Sequence, residues 1–202
     1  MTPLYKTLEK YASLIYGDTR NEVEDIRKGL SSFSHSGPFY FHGHVFMPHS
    51  PYTKDKNCRI SNSTKTSGIF GNPAADAHGY SEYLQCTNTQ VKKFVDEIVK
   101  RDPDAFIIIQ SDHGSEILWQ GGEKEYPLEA FEERYANFNA WRMPKNCMKF
   151  FPPRMTPINT FPLVFSCLTG QEPQFLPNLA YRVFGTTEKL QLVRKNEKWL
   201  LP

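Results

Sequence analysis

The chain has 202 residues, of which 39% are hydrophobic and 23% charged, with a formal net charge of +2. That balance suits a folded domain with an apolar core and excludes a disordered chain. Near-neutral charge, with no dense Lys/Arg block, gives no electrostatic basis for binding nucleic acid or an anionic membrane.

No stretch is apolar and long enough to span a bilayer, and "MTPLYKTLEKYASL" lacks the apolar core of a signal peptide. The segment from Thr2 to Gly17 reads as a first helix. A second begins at a cap on Asp18 or Thr19, with Val23, Ile26, Leu30 and Phe33 spaced by three and four along one face. "SHSGP" breaks the chain, and Phe39 to Phe46, "FYFHGHVF", is predicted as a strand on its aromatic and β-branched content. Met47 to about Gly79 is loop-like, with one glycosylation sequon at Asn62.

A helix follows, with Tyr80, Tyr83, Leu84, Val91, Phe94, Val95, Ile98 and Val99 on one stripe, and "RDPD" stops it. "AFIIIQ", Ala105 to Gln110, is a short, continuously apolar run. Strand, helix, strand in that order predicts a mostly parallel sheet buried on both faces. A loop and short helix are expected through Tyr135, then a strand at "ANFNAW". "PINTFPLVFSCLTG" predicts a helix capped by Asn159 or Thr160 and ending near Gly170, and "KLQLVRKNEKWL" an edge strand. No repeat and no second-domain boundary are visible, so residues 1–202 read as a single unit. The four cysteines form no C-x-x-C pair, which argues against a zinc ribbon and leaves disulfide pairing open.

Two clusters carry chemistry. In "FIIIQSDHGSE" the apolar run gives way to Asp112 and His113, and the turn at Gly114 allows both side chains to face one ion. A carboxylate oxygen beside an imidazole nitrogen is half of a divalent-metal site. An aspartate capping a turn beside a structural histidine explains the same residues. In "FHGHVFMPHSPY" three of the six histidines fall close together. His42 and His44 share a face if the segment is a strand, and His49 lies just past its end. An H-x-H pair can bind zinc, or one of its members can be buried and hydrogen-bonded.

Taken in this order and spacing, "PHSPY", the long loop, the Tyr80–Val99 helix and "FIIIQSDHG" resemble the sulfatase-like branch of the alkaline phosphatase superfamily. That branch includes sulfatases, lipoteichoic acid synthases and phosphoethanolamine transferases. "ERYANFNAWRMP" and "TPINTFPLVFSCLTG" look like the strand and helix that follow in many members, so the resemblance runs roughly from Pro38 to Phe184. It implies an α/β fold, part of a three-layer α/β/α sandwich with a mostly parallel sheet. It also implies Asp112 and His113 as ligands of a divalent metal ion (Ca, Mn, Mg or Zn), and His49 as a catalytic contact to a sulfate or phosphate group. His44 and Lys124 would bind substrate, although a solvated surface position is the simpler explanation of Lys124, as it is of Arg134.

The family's nucleophile pattern, C/S-x-P/A-x-R, is not found. The chain is therefore expected to be the C-terminal portion of the catalytic domain, inactive alone and needing a missing N-terminal half as partner. The function implied is hydrolysis or transfer of sulfate or phosphate esters, in an extracytoplasmic or membrane-associated setting for the intact family protein. The alternatives are a degenerate, non-catalytic binding module of the same fold, and an independent zinc hydrolase built from His42, His44, His49, Asp112 and His113.

Overall fold

The computed structural model describes residues 22–34, 36–60, 73–118, 126–152, 154–184 and 189–201. The expected first helix, its caps at Asp18 and Thr19, the sequon at Asn62 and the candidate Lys124 lie outside them. The chain divides into two compact units, one containing residues up to Pro103 and the other running from Asp104 to Trp119 and from Lys124 onward.

The first unit is built on α1 (Glu22–Ser32) and α2 (Pro73–Arg101). The three-and-four spacing places Val23 in the core, where it meets Met47, Tyr83 and Cys86, with Val45, Tyr52, Val91 and Phe94 packed around them. The helices are also joined by charge. Arg27 donates to Glu24 at 2.7 Å within α1 and to Glu97 of α2 at 2.9 Å. Arg101, at the end of α2, donates to the carbonyls of Leu30 and Phe33, which closes the carboxyl end of α1. Between the helices, Asp55 accepts from the backbone of Asn57 and Arg59, and Cys58 is disulfide-bonded to Cys86 on α2. Helix α2 starts at Pro73, earlier than its apolar stripe predicts.

The hydrogen bond from Arg27 holds the Glu24 carboxyl down to about 2. A folded pKa below the unfolded one contributes stability above the ordinary carboxylate range, and that stability is lost as pH falls toward the folded value. Urea unfolding between pH 4.5 and about 2 should therefore show declining stability, with a flatter dependence in Glu24→Gln.

In the same unit, Phe39 to Phe46 has no strand partner among the described residues. Aromatic content favours a strand only where a neighbouring ladder exists. Here Phe39, Tyr40, Phe41 and Phe46 are exposed.

The second unit contains β1 (Ile107–Gln110), α3 (Leu128–Arg134), β2 (Asn139–Arg142), α4 (Thr160–Thr169), β3 (Leu179–Phe184), β4 (Lys189–Lys195) and β5 (Lys198–Trp199), with short 3-10 turns before α4. Strand β1 pairs with β2, and β3, β4 and β5 form a second sheet in that order; both sheets are antiparallel. The expected mostly parallel sheet and three-layer sandwich are therefore wrong for the described residues. The predicted strand before the long helix does not form, so no strand–helix–strand unit exists to run parallel. Helix α3, only 7 residues and about 10 Å long, cannot carry the chain back along β1. Ser111 N–H donates to Phe138 O at 2.9 Å and Gly114 N–H to Arg134 O at 2.8 Å. The chain thus re-enters the sheet at the end it left.

Helix α4 begins where the sequence places it, and Gly170 ends it at φ 74°, a left-handed conformation that glycine takes without strain. Its cap residue Asn159 instead holds Leu176, donating to the Leu176 carbonyl and accepting from its N–H. Thr160 donates to Gln110 Oε1 at 2.7 Å, fixing α4 to the end of β1, and Cys147 is disulfide-bonded to Cys167. The tail read as an edge strand is β4, the middle of the meander. Asn196 and Glu197, both at positive φ, turn it into β5. Trp199 then packs edge-on against Phe131 and Tyr135 of the α3 region, and Tyr135 donates to Tyr181 O at 2.8 Å. Among the described residues no helix is long and apolar enough to cross a membrane.

Candidate functional site

The Asp112–His113 pair sits at the carboxyl end of β1, held by the segment that leads from α3 into β2. Asn137 donates from its amide to the carbonyls of Ser111 and Asp112, at 3.2 and 2.6 Å. Ser111 Oγ accepts from Phe138 N–H at 2.7 Å. After the pair, Gly114 passes so close to the carbonyl oxygen of Glu133 that a Cβ would fall inside its van der Waals shell. The Glu133 carboxylate then accepts three hydrogen bonds: from Ser115 Oγ at 2.5 Å, Ile117 N–H at 2.9 Å and Leu118 N–H at 2.7 Å. Arg134 pairs with Glu116 at 2.6 Å. One helical turn therefore fixes the backbone on the far side of the pair.

Within the pair, His113 Nδ1 lies 2.6 Å from Gly114 O. A carbonyl only accepts, so Nδ1 carries the proton and Nε2 presents its lone pair. Nε2 is 3.5 Å from Asp112 Oδ2. Two ligands of one cation can stand at that separation, since each lies about 2.0–2.2 Å from the ion. The donor set thus fits half of a divalent-metal site. Among the described residues no group of three or more His, Cys, Asp or Glu side chains could hold a metal, which leaves the five-residue zinc centre without support. Asp112 also accepts from His113 N–H at 3.0 Å, the turn-capping role that the sequence left open.

The pair opens onto a cleft of about 340 Å³, lined also by Arg134, Tyr135 and Asn137, and by Tyr181, Arg182 and Val183 of β3. Burial pushes the Tyr135 hydroxyl up, and the Arg182 and Arg134 charges oppose that shift. Asn137, Glu133 and Arg182 are functional candidates that the sequence does not single out. Each reaches the site across many residues of chain and leaves no local pattern.

In the first unit, His49 N–H donates to Phe46 O at 2.6 Å and its Nδ1 lies 2.5 Å from Ser50 O. That contact orients the ring in the same way as His113. His42, His44 and His49 are all exposed, and the His44 ring lies 5.2 Å from that of Phe46. All four cysteines are in disulfides, so none serves as a thiol nucleophile here.

A family model described as Sulfatase matches residues 6–138. No curated protein and no solved structure matches the chain. The matched segment contains both motifs, but it lies in the N-terminal part of the chain and stops at Phe138. It overturns the expected likeness from Pro38 to Phe184, and with it the reading of the chain as a C-terminal portion. The missing N-terminal half is likewise withdrawn as a partner. The stretches beyond Phe138 had suggested a likeness through an apolar strand and a capped helix, features common to many α/β proteins.

Proposed function

The chain belongs to the sulfatase family, and from that premise we propose that it carries part of a metal-dependent centre for hydrolysis or transfer of sulfate or phosphate esters. The observation that carries this reading is the 3.5 Å approach of Asp112 Oδ2 to His113 Nε2, with the other ring nitrogen committed to Gly114 O. Asp112 and His113 would hold a divalent cation, and oxygen with imidazole donors admits calcium, manganese, magnesium or zinc. Such an ion, when bound, lowers the pKa of an oxygen nucleophile and offsets charge on the transferring group.

His49 is proposed to contact an oxygen of that group through Nε2; because Nδ1–H is engaged by Ser50 O, Nε2 donates only when the ring carries both protons. His44 and Lys124 are proposed as further substrate contacts. Two disulfides support an extracytoplasmic setting, where such bonds persist.

Manganese binding to the full chain, followed by electron paramagnetic resonance, tests the reading. We expect one site in the wild type, weakened about 10- to 100-fold by Asp112→Asn or His113→Ala. Equal binding in all three would exclude Asp112 and His113 as ligands, and no binding in the wild type would favour the second reading, a non-catalytic module of the same fold. The two-ligand donor set is the observation on that side.

A further inference from the structure

Helix α4 turns its most apolar side outward. A helix on a domain surface ordinarily buries that side. Here the inward residues are Thr160, Leu163 and Ser166, and the Thr160 hydroxyl is engaged with Gln110. The outward face carries Phe161, Phe165 and Leu168, at the spacing of four and three that stacks side chains along one ridge. Phe165 is 59% and Leu168 69% exposed, and Ile158, in the 3-10 turn that leads into the helix, is 57% exposed. The Phe161 and Phe165 rings lie 6.0 Å apart, so the ridge is continuous over that turn.

The ridge is held in place and is uncharged. The Cys147–Cys167 disulfide ties the helix to the neighbouring 3-10 turn, whose Met148 is likewise exposed. A surface fixed in advance loses little conformational freedom on association. No residue from Met155 to Gln171 carries a charge. Such a face has nothing to select a charged partner or an anionic lipid headgroup. Its complement is another neutral, apolar ridge, and a second copy presents one. Aromatic side chains carry roughly 150–250 Å² each, and about half of each side chain on the ridge is exposed. With Met148 the patch comes to about 500 Å² per copy, so pairing two would remove about 1,000 Å² from water, the size at which specific interfaces begin.

We propose that the α4 ridge is a self-association surface, on which a second copy of this chain docks through the same helix about a twofold axis. This goes beyond the functional reading above and does not depend on it. Helices meeting along rows four residues apart cross at about −50° with axes about 8–10 Å apart. Phe165, the middle of the three helical positions, then faces its own counterpart in the other copy.

An interface of this size is expected to bind in the micromolar range, so the test is sedimentation equilibrium of the full chain from about 1 to 100 µM. The wild type should pass from monomer to dimer. Phe165→Glu and Leu168→Asp should each weaken dimerisation about 30-fold or more, as expected for central apolar anchors. Leu190→Asp, at an equally exposed apolar position on β4, should leave it unchanged. Near-UV circular dichroism and thermal unfolding show which variants keep the fold. If one charged variant of the ridge unfolds, the other decides, and if both do, Phe165→Ala decides with the same expected direction. A wild type that stays monomeric throughout the range overturns the proposal, as does a dimer that the folded ridge variants keep. Equal weakening by Leu190→Asp would mean unspecific apolar association and overturns it too. A monomeric wild type that co-sediments with neutral phosphatidylcholine vesicles would assign the ridge to a lipid surface instead.

Discussion

Replacing Gly114 with alanine should cost about 3 kcal/mol or more of stability in the second unit and abolish the metal binding proposed for Asp112 and His113. The reason is steric. An added Cβ would overlap the Glu133 carbonyl oxygen and press on Glu133 C and Ala136 O, at 3.1 and 3.2 Å. These are backbone atoms at the end of a helix, so neither a rotamer change nor a small side-chain shift relieves the overlap. To make room, α3 must move away from the strand end, which breaks the 2.8 Å bond from Gly114 N–H to Arg134 O. Urea unfolding and manganese titration of Gly114→Ala would measure both effects. Stability within about 0.5 kcal/mol of wild type would mean that the two segments do not approach this closely.

The second large effect is expected at Glu133, whose carboxylate gathers a hydroxyl and two backbone N–H groups. Glu133→Ala removes all three acceptor contacts. Hydrogen bonds to a charged group are worth roughly 1.5–3 kcal/mol each when well enclosed. Leu118 is half exposed, so water replaces part of the loss. We therefore expect a net cost of about 2 kcal/mol. Because the damage is local, the amides of Ile117 and Leu118 should exchange about 30-fold faster while those of β4 stay protected. Glu133→Gln retains one acceptor oxygen and should fall between. Uniform loss of protection across the unit would show that Glu133 supports the whole fold rather than this segment.

Much of the helical structure is legible from residue spacing. The Val23, Ile26 and Leu30 face, the Tyr83–Phe94 stripe and the Gly170 stop each depend on contacts or conformations within a few residues. The strand at Ile107 is legible for the same reason, but its direction relative to a neighbour is not. Three isoleucines in a row fit a strand between two parallel neighbours or one beside a single antiparallel neighbour. The choice is made by the short α3 and by Ser111 bonding to Phe138, which lies 27 residues on. Phe39 to Phe46 fails as a strand because its composition cannot supply a partner.

The site divides along the same line. Asp112 and His113 stand out because they interrupt an apolar run. Asn137, Glu133 and Arg182 look like ordinary surface residues in sequence and gain meaning only when the chain returns to the strand end. Likewise, the pairing of Cys58 with Cys86 and of Cys147 with Cys167 follows from which segments meet, not from spacing.

The seating of Trp199 has a practical consequence. Its indole wedges against both rings of the α3 region and under the Arg194 guanidinium. It is the bolt for a panel that carries Arg182. A version cut before this tryptophan, or carrying a bulky group against it, would loosen the β3 wall of the cleft, seventeen positions upstream. Any fusion placed beside Trp199 therefore calls for a spacer.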